Sequence, residues 1–528
     1  MTFKLRPYQD RCVDLTLAAL ENNEEAAPIV AAATGSGKSV IVSALADELL
    51  QRNKRAGRVL VATHRAELVA QNHGKLPRHL KGSIFSASIG KKDVGGDVIF
   101  ANIQSIQRQW HKLPKLQALM IDEAQVAAKG YAEFLVNLKR VSPEIRVIGL
   151  TATPYNGAGV WLHMLPQHRI FSGISAEVGI GELLAQGYLC PLTPYRADTQ
   201  LRTDAVKVDA RTGDFAQGQL QAAVDVPELV QNCADEIRQI FLGRNSVLVF
   251  CSGVEHSRHV ALALGPDAEV VLGDTPQAER DRLIAKFRAG RLKYLVACEV
   301  LLVGFDAPIC DGIACLRPSL SPLVWVQLLG RGMRPHPGKR DCLVADFCGN
   351  ADHFGPVDEI EGRPPQNKNG DAPTRICDGC FNIILASLRR CPHCGHEFEF
   401  EEHHRNLDPQ TGLLISGVIK NEDGTRTYPV ERVEYHTEVT RAGDPALVAS
   451  YFSPGRVTPV AKDYYLLWHK KQSVAARDAA KWLRRLAVPS GVPTNANEAL
   501  HRAEFGALKV PKTVTVEAGS IFPIRFSA

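Results

Sequence analysis

Residues 29–39 read Ile-Val-Ala-Ala-Ala-Thr-Gly-Ser-Gly-Lys-Ser, an apolar run followed by a glycine-rich turn that ends in Lys38 and Ser39. The apolar run predicts a buried strand and the residues after Lys38 predict a helix, so the glycines lie at a strand–helix turn. Such a turn binds phosphate through backbone N–H groups, while the lysine reaches the β- and γ-phosphates and the serine hydroxyl takes Mg²⁺. A glycine-rich turn without a ligand is the alternative. The sequence therefore predicts a nucleotide-binding loop formed by Thr34, Gly35, Ser36, Gly37, Lys38 and Ser39.

The stretches on either side of this loop alternate between short apolar runs and helical patterns. Each run is continuous, which is typical of strands buried on both faces of a parallel sheet. The runs predict two successive α/β domains, at residues 1–165 and 166–350. Their predicted strands are 29–32, 59–62, 98–101, 119–121 and 147–150 in the first domain, and 247–251, 270–272, 294–297, 312–316 and 343–346 in the second.

A pair of carboxylates, Asp122 and Glu123, follows the apolar residues 119–121. Two carboxylates at the end of a buried strand are costly to bury without a cation. Because the pair follows a phosphate loop, we expect Asp122 to hold Mg²⁺ and Glu123 to orient and deprotonate the attacking water. A helix N-cap with an acidic residue in the first turn is the alternative for the pair taken alone.

Basic residues close the second α/β domain, where Gln327 is followed by Arg331 and Arg334. The two arginines are three residues apart and therefore share one face of a helix. Phosphoryl transfer needs positive charge at the γ-phosphate, and arginines from a second domain supply it when the cleft between the domains closes. A solvated basic face is the alternative. The two arginines are therefore candidates for the catalytic site.

The composition of the 528-residue chain, with 45% hydrophobic and 23% charged residues, excludes a largely disordered protein. The 62 basic and 57 acidic residues give a net charge of +5, which permits a polyanionic partner without requiring one. Residues 1–10 lack the apolar segment of a secretory signal, and we find no apolar run long enough to span a bilayer. We therefore expect a soluble cytoplasmic protein without a membrane partner.

The sequence after residue 350 predicts a linker at 351–374 and an α+β accessory domain at 401–528 with a helix at 462–486. Between them, at 375–400, four of the thirteen cysteines form two CxxC pairs. Two CxxC pairs at this spacing place four thiolates around one Zn²⁺, so the spacing predicts a small structural zinc ribbon. Four unliganded thiols are the alternative. The predicted zinc ligands are Cys377, Cys380, Cys391 and Cys394.

Taken in order, these motifs resemble those of the superfamily 2 helicases of the DEAD/DEAH type. The resemblance covers about residues 1–350 and implies two RecA-like domains in tandem. Through Leu-Arg-Pro-Tyr-Gln at 5–9 and Gly-Phe-Asp-Ala-Pro at 304–308, it implies that Arg6 and Gln9 bind the adenine of ATP and that Asp306 meets the ribose. Thr-Ala-Thr-Pro at 151–154 looks like the third motif, which couples hydrolysis to domain closure, and Gln327, Arg331 and Arg334 match the sixth. The resemblance assigns contacts with the nucleic-acid strand to Thr63, His64, Arg65, Gln104 and Ser105.

Within that superfamily the chain looks most similar to bacterial DNA-repair ATPases of the RadD type and to phage helicases. The similar segments include HRAELVAQNH at 64–73, GDTPQAER at 273–280, VGFDAP at 303–308 and GRGMRP at 330–335. This resemblance implies an ATP-dependent DNA helicase or translocase of repair, recombination or phage replication, located in the cytoplasm of a bacterial or phage-infected cell. The implied partners are single-stranded or branched DNA and, beside it, a single-stranded-DNA-binding protein or recombination proteins.

The second motif departs from the family at Gln125, where His, Asp or a Cys-His ending is usual. Glutamine can still hydrogen-bond to the third motif, so we expect altered coupling and not an inactive enzyme. Motif versions typical of DEAD-box RNA helicases are absent from the sequence, which favours DNA. Two alternatives stay open: a DNA-stimulated ATPase that remodels protein–DNA complexes without unwinding, and a zinc-dependent nucleic-acid-binding adaptor with a vestigial ATP site. The motor subunit of a restriction complex is a third, for which we find no nuclease constellation in the sequence.

Overall fold

The computed structural model contains two α/β domains with largely parallel sheets, followed by smaller antiparallel sheets and two helices. The two parallel-sheet domains predicted from the apolar runs are confirmed. The structure describes residues 4–52, 56–126, 129–203, 205–209, 214–298, 301, 305–364, 374–376, 383–385, 414–421, 423–439, 444–454, 456, 459–468, 472–487, 491–504, 506–517, 520 and 522–527.

The first domain has eight strands: β1 (Pro28–Ala32), β2 (Arg58–Thr63), β3 (Gly82–Ser86), β4 (Lys91–Lys92), β5 (Val98–Asn102), β6 (Leu116–Asp122), β7 (Arg146–Thr151) and β8 (Gly173–Val178). Its helices are α1 (Pro7–Asn22), α2 (Lys38–Arg52), α3 (Ala66–His73), α4 (Ile103–Ile106), α5 (Lys129–Val141) and α6 (Ile180–Ala185). The sheet order is β4-β3-β5-β2-β6-β7-β1-β8, and every pair is parallel except β3–β4. Because β6, β7 and β1 are neighbours, the phosphate loop, Asp122 and Thr151 meet at the carboxyl edge of the sheet.

The second domain has six parallel strands: β9 (Leu192–Arg196), β10 (Val247–Cys251), β11 (Ala268–Val270), β12 (Tyr294–Ala297), β13 (Gly312–Leu316) and β14 (Cys342–Asp346), in the order β11-β12-β10-β13-β14-β9. Its helices are α7 (Gln217–Val224), α8 (Pro227–Ile240), α9 (Val254–Leu264), α10 (Gln277–Arg288), α11 (Pro322–Gly332) and α12 (Asn350–Phe354). The central strands β10 and β13 are buried along their whole length, because helices cover both faces of the sheet.

The change from the first sheet to the second lies later in the chain than residue 165, where the sequence places it. Strand β8 pairs with β1 and helix α6 follows it, so both belong to the first domain. Strand β9 pairs with β14 and is the first strand of the second sheet. The chain therefore passes between the domains at residues 186–191.

The C-terminal region contains the strands β15 (Thr374–Ile376), β16 (Ile383–Leu385), β17 (Ile419–Lys420), β18 (Thr425–Pro429), β19 (Arg432–Val439), β20 (Pro445–Phe452), β21 (Ala461–Tyr465), β22 (Thr513–Glu517) and β23 (Pro523–Ser527). They form the sheets β15-β16, β17-β18-β22-β23 and β19-β20-β21. The two helices are α13 (Gln472–Arg485) and α14 (Ala496–Glu504). Among the residues that the structure describes, no helix is long and apolar enough to cross a membrane.

The helix predicted at 462–486 is only partly correct. Its first part forms β21, in which buried and half-buried residues alternate and which pairs with β20. This segment forms a strand and not a helix because the two-residue alternation of side chains in a strand places Ala461 and Tyr465 in the core beside Trp482. The second part of the prediction is correct and forms α13.

Residues 416–420 of the C-terminal region make polar contacts with the segment that follows α12 and with strand β8 of the first domain. The carboxylate of Asp358 accepts hydrogen bonds from the backbone N–H groups of Ser416, Gly417 and Val418, at 2.8, 2.7 and 3.2 Å. The ammonium of Lys420 lies 3.1 Å from a carboxylate oxygen of Glu177 on β8. Strand β8 is the neighbour of β1, so the C-terminal region lies close to the strand that leads into the phosphate loop.

Candidate nucleotide-binding site

The predicted phosphate loop lies between β1 and α2, as the sequence indicates. Gly35 and Gly37 have φ angles of +90° and +81°, a backbone region that glycine adopts without strain. A Cβ on Gly37 would lie 2.7 Å from Nε2 of Gln9, so this position also needs the small residue. The Nζ atom of Lys38 donates a hydrogen bond of 3.2 Å to the carbonyl of Ala32, which keeps the ammonium beside the loop.

The carboxylate of Asp122 is buried at the end of β6. It accepts hydrogen bonds from Nδ2 of Asn72 at 2.7 Å and from the backbone N–H of Glu123 at 3.0 Å. Burial, and then the neighbouring Glu123, raise the pKa of Asp122 to about 6. A buried carboxylate that resists ionisation is stabilised in its charged form by a cation, so the site fits Mg²⁺. The hydroxyl of Ser39, which accepts a 3.3 Å hydrogen bond from Gln71, is the second candidate ligand.

Glu123 is connected to the third motif through Gln125. Nε2 of Gln125 donates to a carboxylate oxygen of Glu123 at 2.7 Å, and its Oε1 accepts from the hydroxyl of Thr151 at 2.5 Å. The hydroxyl of Thr151 also accepts the backbone N–H of Thr153 at 3.0 Å. The hydrogen bond expected between Gln125 and the third motif is therefore confirmed. Glu123 itself has a φ of +56°, a strained conformation of the kind that collects at functional sites.

Arg331 and Arg334 come from the second domain and lie beside the phosphate loop of the first. Both guanidinium groups donate to the carbonyl of Phe305, and Arg334 also forms an ion pair with Asp306. Burial, followed by the neighbouring Arg334, lowers the pKa of Arg331 to about 9, while the charge of Glu123 opposes this shift. In this structure the residue expected at the ribose and one expected at the γ-phosphate are thus paired with each other. The third residue of the motif, Gln327, is buried on α11.

The two domains touch directly at this site. A Cβ on Gly330 would lie 2.7 Å from Cβ of Thr34, so α11 packs against the phosphate loop without an intervening side chain. Cγ of Arg334 lies 3.9 Å from the place that a Cβ on Gly35 would occupy. Further from the loop, the guanidinium of Arg280 lies 3.4 Å from the carboxylate of Glu67 across the cleft. One site therefore receives side chains from both domains.

The structure gives Arg6 and Gln9 different surroundings. Gln9 is 5% exposed, and its side chain donates to the carbonyl of Ser36 at 2.9 Å and accepts the backbone N–H of Arg6 at 3.0 Å. Arg6 is exposed and stacks on the ring of Tyr188, with 4.2 Å between the guanidinium carbon and the ring centroid. Gln9 thus connects α1 to the phosphate loop, and Arg6 faces solvent beside it.

The five residues expected to contact nucleic acid follow β2 and β5, which are neighbours in the sheet. Thr63 is buried and donates to the carbonyl of Arg65 at 2.9 Å, so its hydroxyl shapes the turn. His64 stacks on Tyr131 with ring centroids 5.7 Å apart, and burial lowers its pKa. The structure brings these residues to one edge, where Arg65 and Ser105 are half-buried and Gln104 is exposed.

The four predicted zinc ligands, Cys377, Cys380, Cys391 and Cys394, lie outside the described residues. In the described part of the chain a different group, Cys315, Asp346 and Cys348, brings its possible ligand atoms within 4.8 Å of one another. The carboxylate of Asp346 accepts the backbone N–H groups of Cys348 and Ala351, and burial raises its pKa to about 6. Burial also raises the pKa of Cys348, which favours the thiol over the metal-binding thiolate. These contacts explain the group as a satisfied turn at the end of β14.

Two residues of the site were missed in the sequence, Asn72 and Tyr188. Asn72 occupies the buried stripe of α3 together with Leu68 and Val69, and an amide at an apolar position of a helix is the signal that was available. Tyr188 offers no comparable signal, because it lies in the short segment between α6 and β9 and acquires its partners through the fold.

The fold consists of two RecA-like domains in tandem, and the candidate nucleotide-binding site receives side chains from both of them. Residues 2–156 match the family model described as the type III restriction enzyme res subunit, and residues 233–336 match the helicase conserved C-terminal domain. A mitochondrial ATP-dependent helicase named irc3 from Schizosaccharomyces pombe is 30% identical over 362 residues, which cover 65% of this chain and 57% of that protein. A 51.5 kDa protein of a Lactococcus phage is 25% identical over 394 residues, covering 72% and 80%. In both α/β domains the chain is therefore similar to helicases of superfamily 2.

Structural similarity agrees at the level of the fold. A fragment of an HsdR subunit of a type I restriction enzyme from Vibrio vulnificus superposes with a TM-score of 0.51 at 19% identity, covering 68% of this chain and 67% of that one. The chain spans 57% of the fission yeast helicase and 51% of the Saccharomyces cerevisiae helicase IRC3, which is 28% identical. It therefore corresponds to somewhat more than half the length of these relatives.

Proposed function

We propose that this protein is an ATP-dependent helicase or translocase that acts on DNA. The observation that carries the proposal is the composition of the nucleotide site: Lys38, Asp122 and Glu123 come from one domain, and Arg331 and Arg334 come from the other. An ATP site built across two domains ties the nucleotide cycle to relative motion of those domains. Such motion is what moves a protein along a strand.

In the proposed cycle Lys38 and Ser39 bind the phosphates and the metal, and Asp122 is the protein carboxylate for Mg²⁺. When bound, Mg²⁺ offsets the negative charge of the phosphates. Glu123 takes the proton of the attacking water, and its hydrogen bond to Gln125 fixes the position of its carboxylate. The raised pKa of Asp122 and the lowered pKa of Arg331 both reflect charges held in a buried site, where they act strongly on a phosphate.

The arginines supply the step that depends on the second domain. In the structure they donate to the carbonyl of Phe305, and Arg334 also pairs with Asp306. A γ-phosphate is a stronger partner for a guanidinium than a neutral carbonyl is, since both partners are then charged. We infer that ATP draws Arg331 and Arg334 to the γ-phosphate and releases Asp306 for the ribose.

The nucleic-acid path of this proposal follows the edge of the first domain at Arg65 and Gln104 and crosses to the second domain. The ion pair between Glu67 and Arg280 lies between the domains near this edge. Because motors of this type hold mainly the phosphate backbone, binding should be independent of sequence and weakened by salt. A role in repair, recombination or phage replication is supported by the sequence resemblance and by the similar phage protein. The same resemblance supports single-stranded-DNA-binding or recombination proteins as partners.

The experiment that tests the proposal compares ATP turnover without nucleic acid and with single-stranded DNA, forked DNA or RNA. We expect DNA to stimulate turnover, and Arg331→Ala to bind ATP and DNA separately while losing the stimulation, since the coupling between two ligands is reciprocal. The proposal is contradicted if no nucleic acid changes the rate of ATP turnover, or if DNA still stimulates turnover by the Arg331→Ala protein. Stimulation of ATP turnover by RNA but not by DNA would indicate that the protein acts on RNA.

A second assay separates helicase from remodelling ATPase. Strand displacement measured beside translocation on the same forked DNA distinguishes the two, because a remodeller moves without separating strands. The zinc-dependent adaptor with a vestigial ATP site is not favoured, since both halves of the site keep their charged residues. The zinc ribbon at 375–400 remains part of the proposal, as a structural module that holds one Zn²⁺ and does not take part in hydrolysis.

A further inference from the structure

An aromatic residue from the interdomain segment lies beside the phosphate loop. Tyr188 is half-buried, and its ring is 5.4 Å from the ring of Tyr8, measured between centroids. The hydroxyl of Tyr8 donates to the carbonyl of Ser36 at 2.8 Å and accepts from Arg6 at 3.1 Å. Arg6 in turn lies over the outer face of Tyr188, with 4.2 Å to the ring centroid. Arg6, Tyr8 and Tyr188 therefore form one cluster beside the phosphate loop.

The composition of this cluster fits a nucleobase. A flat guanidinium and an aromatic ring both stack on the π-face of a base, whatever its hydrogen-bonding edge. Gln9, the neighbouring polar side chain, is 5% exposed and already engaged with Ser36 and with the backbone of Arg6. The exposed Arg6 and the half-buried Tyr188 are thus the members of the cluster that a ligand can reach.

The segment that carries Tyr188 also touches both halves of the nucleotide site. Cδ2 of Leu189 lies 2.7 Å from the place that a Cβ on Gly35 would take, so it covers the phosphate loop. The backbone N–H of Cys190 donates at 2.7 Å to the carbonyl of Met333, which directly follows α11 and precedes Arg334. A ligand held at Tyr188 is therefore close to the loop and to the end of α11.

We propose that Tyr188 binds the base of the bound nucleoside triphosphate by stacking on it, on the face that Arg6 covers in this structure. This inference rests on the proposed ATP-dependent function, and it adds to it the residue that holds the base. The sequence resemblance places the adenine contacts at Arg6 and Gln9, and Tyr188 adds an aromatic stacking surface beside Arg6.

The test compares ATP with inorganic tripolyphosphate, which carries the same chain of phosphates without a base. Affinities of the full-length protein for both ligands are measured with Mg²⁺ by calorimetry. Tyr188→Ala should weaken ATP binding about 5- to 150-fold, the range that removal of one base–aromatic stack gives. Its affinity for tripolyphosphate should equal that of the unaltered protein. Tyr188→Phe should bind ATP normally, since the ring is kept.

Tyr195→Ala, at an exposed tyrosine of β9, is the matched control and should change neither affinity. Equal loss of ATP and tripolyphosphate affinity in Tyr188→Ala would show that the ring only supports the phosphate loop, and this overturns the proposal. ATP affinity unchanged in Tyr188→Ala overturns it as well. In both cases the unaltered protein still binds and hydrolyses ATP. Failure of the proposed function is recognised separately, because the unaltered protein would then bind no ATP.

Discussion

Replacement of Asn72 by leucine should move the pH dependence of magnesium binding. Nδ2 of Asn72 donates a 2.7 Å hydrogen bond to the buried carboxylate of Asp122, and this bond lowers the pKa of the carboxyl, which burial has raised to about 6. Leucine has the same branching at Cγ and the same number of side-chain heavy atoms as asparagine, and it has no hydrogen-bond donor. A hydrogen bond to a charged group contributes about 1.5–3 kcal/mol, and about 1.36 kcal/mol corresponds to one pKa unit. The proton affinity of Asp122 in Asn72→Leu should therefore increase about 10- to 150-fold, which raises its pKa further.

Magnesium competes with the proton on this carboxylate, so the half-saturating Mg²⁺ concentration rises when the pH falls below the pKa. At pH 7 the half-saturating Mg²⁺ concentration should therefore be higher in Asn72→Leu than in the unaltered protein, by up to about 10-fold. The difference should vanish above about pH 9. The assay is ATP turnover titrated with Mg²⁺ between pH 5.5 and about 9 at saturating ATP.

A loss of protein stability should not cause the rise in the half-saturating Mg²⁺ concentration at low pH. Because the folded-state pKa of Asp122 lies above the ordinary value of 3.8, the folded state binds more protons between that value and about pH 6. Protonation of Asp122 in this window therefore favours folding, and its contribution to stability declines as the pH rises through the window. Asn350→Leu, at a buried asparagine of the second domain, controls for the loss of a buried amide. An Mg²⁺ titration of Asn72→Leu that parallels the unaltered protein at every pH would refute the reasoning.

Three further perturbations test other parts of the site. Glu123→Gln should keep ATP affinity while phosphate release falls about 10²–10⁴-fold, as for loss of a general base, and near-normal hydrolysis would remove the assignment. Gln125→Leu deletes the hydrogen bonds to Glu123 and Thr151. Gln125→Leu should lower the ratio of DNA-stimulated to basal turnover, and Gln125→His should keep a higher ratio than Gln125→Leu. Equal ratios in the two variants contradict a coupling role for the hydrogen bonds of Gln125. Cys391→Ser should abolish a stoichiometric Zn²⁺ measured by elemental analysis and expose residues 375–400 to proteolysis, with basal ATPase activity retained. Protein purified without chelators that contains no zinc contradicts this last prediction.

Much of the fold could be predicted from local patterns. Continuous apolar runs identified five of the eight strands of the first sheet and five of the six strands of the second, because a strand covered on both faces must be apolar along its whole length. The phosphate loop and the acidic pair could be located for the same reason, since each directly follows such a strand. The partner contact of Gln125 was also predictable, because the third motif ends the neighbouring strand β7.

Other features depended on contacts that sequence spacing does not reveal. The boundary at residue 165 was placed too early relative to the sheets, since the edge strand β8 has only two buried residues and carries little apolar signal. Residues 461–465 alternate between the core and the surface, and the helical pattern that follows them in α13 masked this two-residue period. Tyr188 meets Arg6 only after the chain has crossed from one domain to the other, so their relation requires the tertiary structure.

The close approach of Gly330 to Thr34 has a consequence for engineering and for evolution. Any larger residue at 330 would act as a wedge between α11 and the phosphate loop, since its Cβ would overlap the side chain of Thr34. Such a protein should bind nucleotide on the first domain while the arginines of the second are held away from it, so the proposed cycle would stop before the two domains close. Shortening the opposing residue, as in Thr34→Gly, would make room for the wedge. A larger residue at position 330 is therefore compatible with domain closure only together with a smaller residue at position 34.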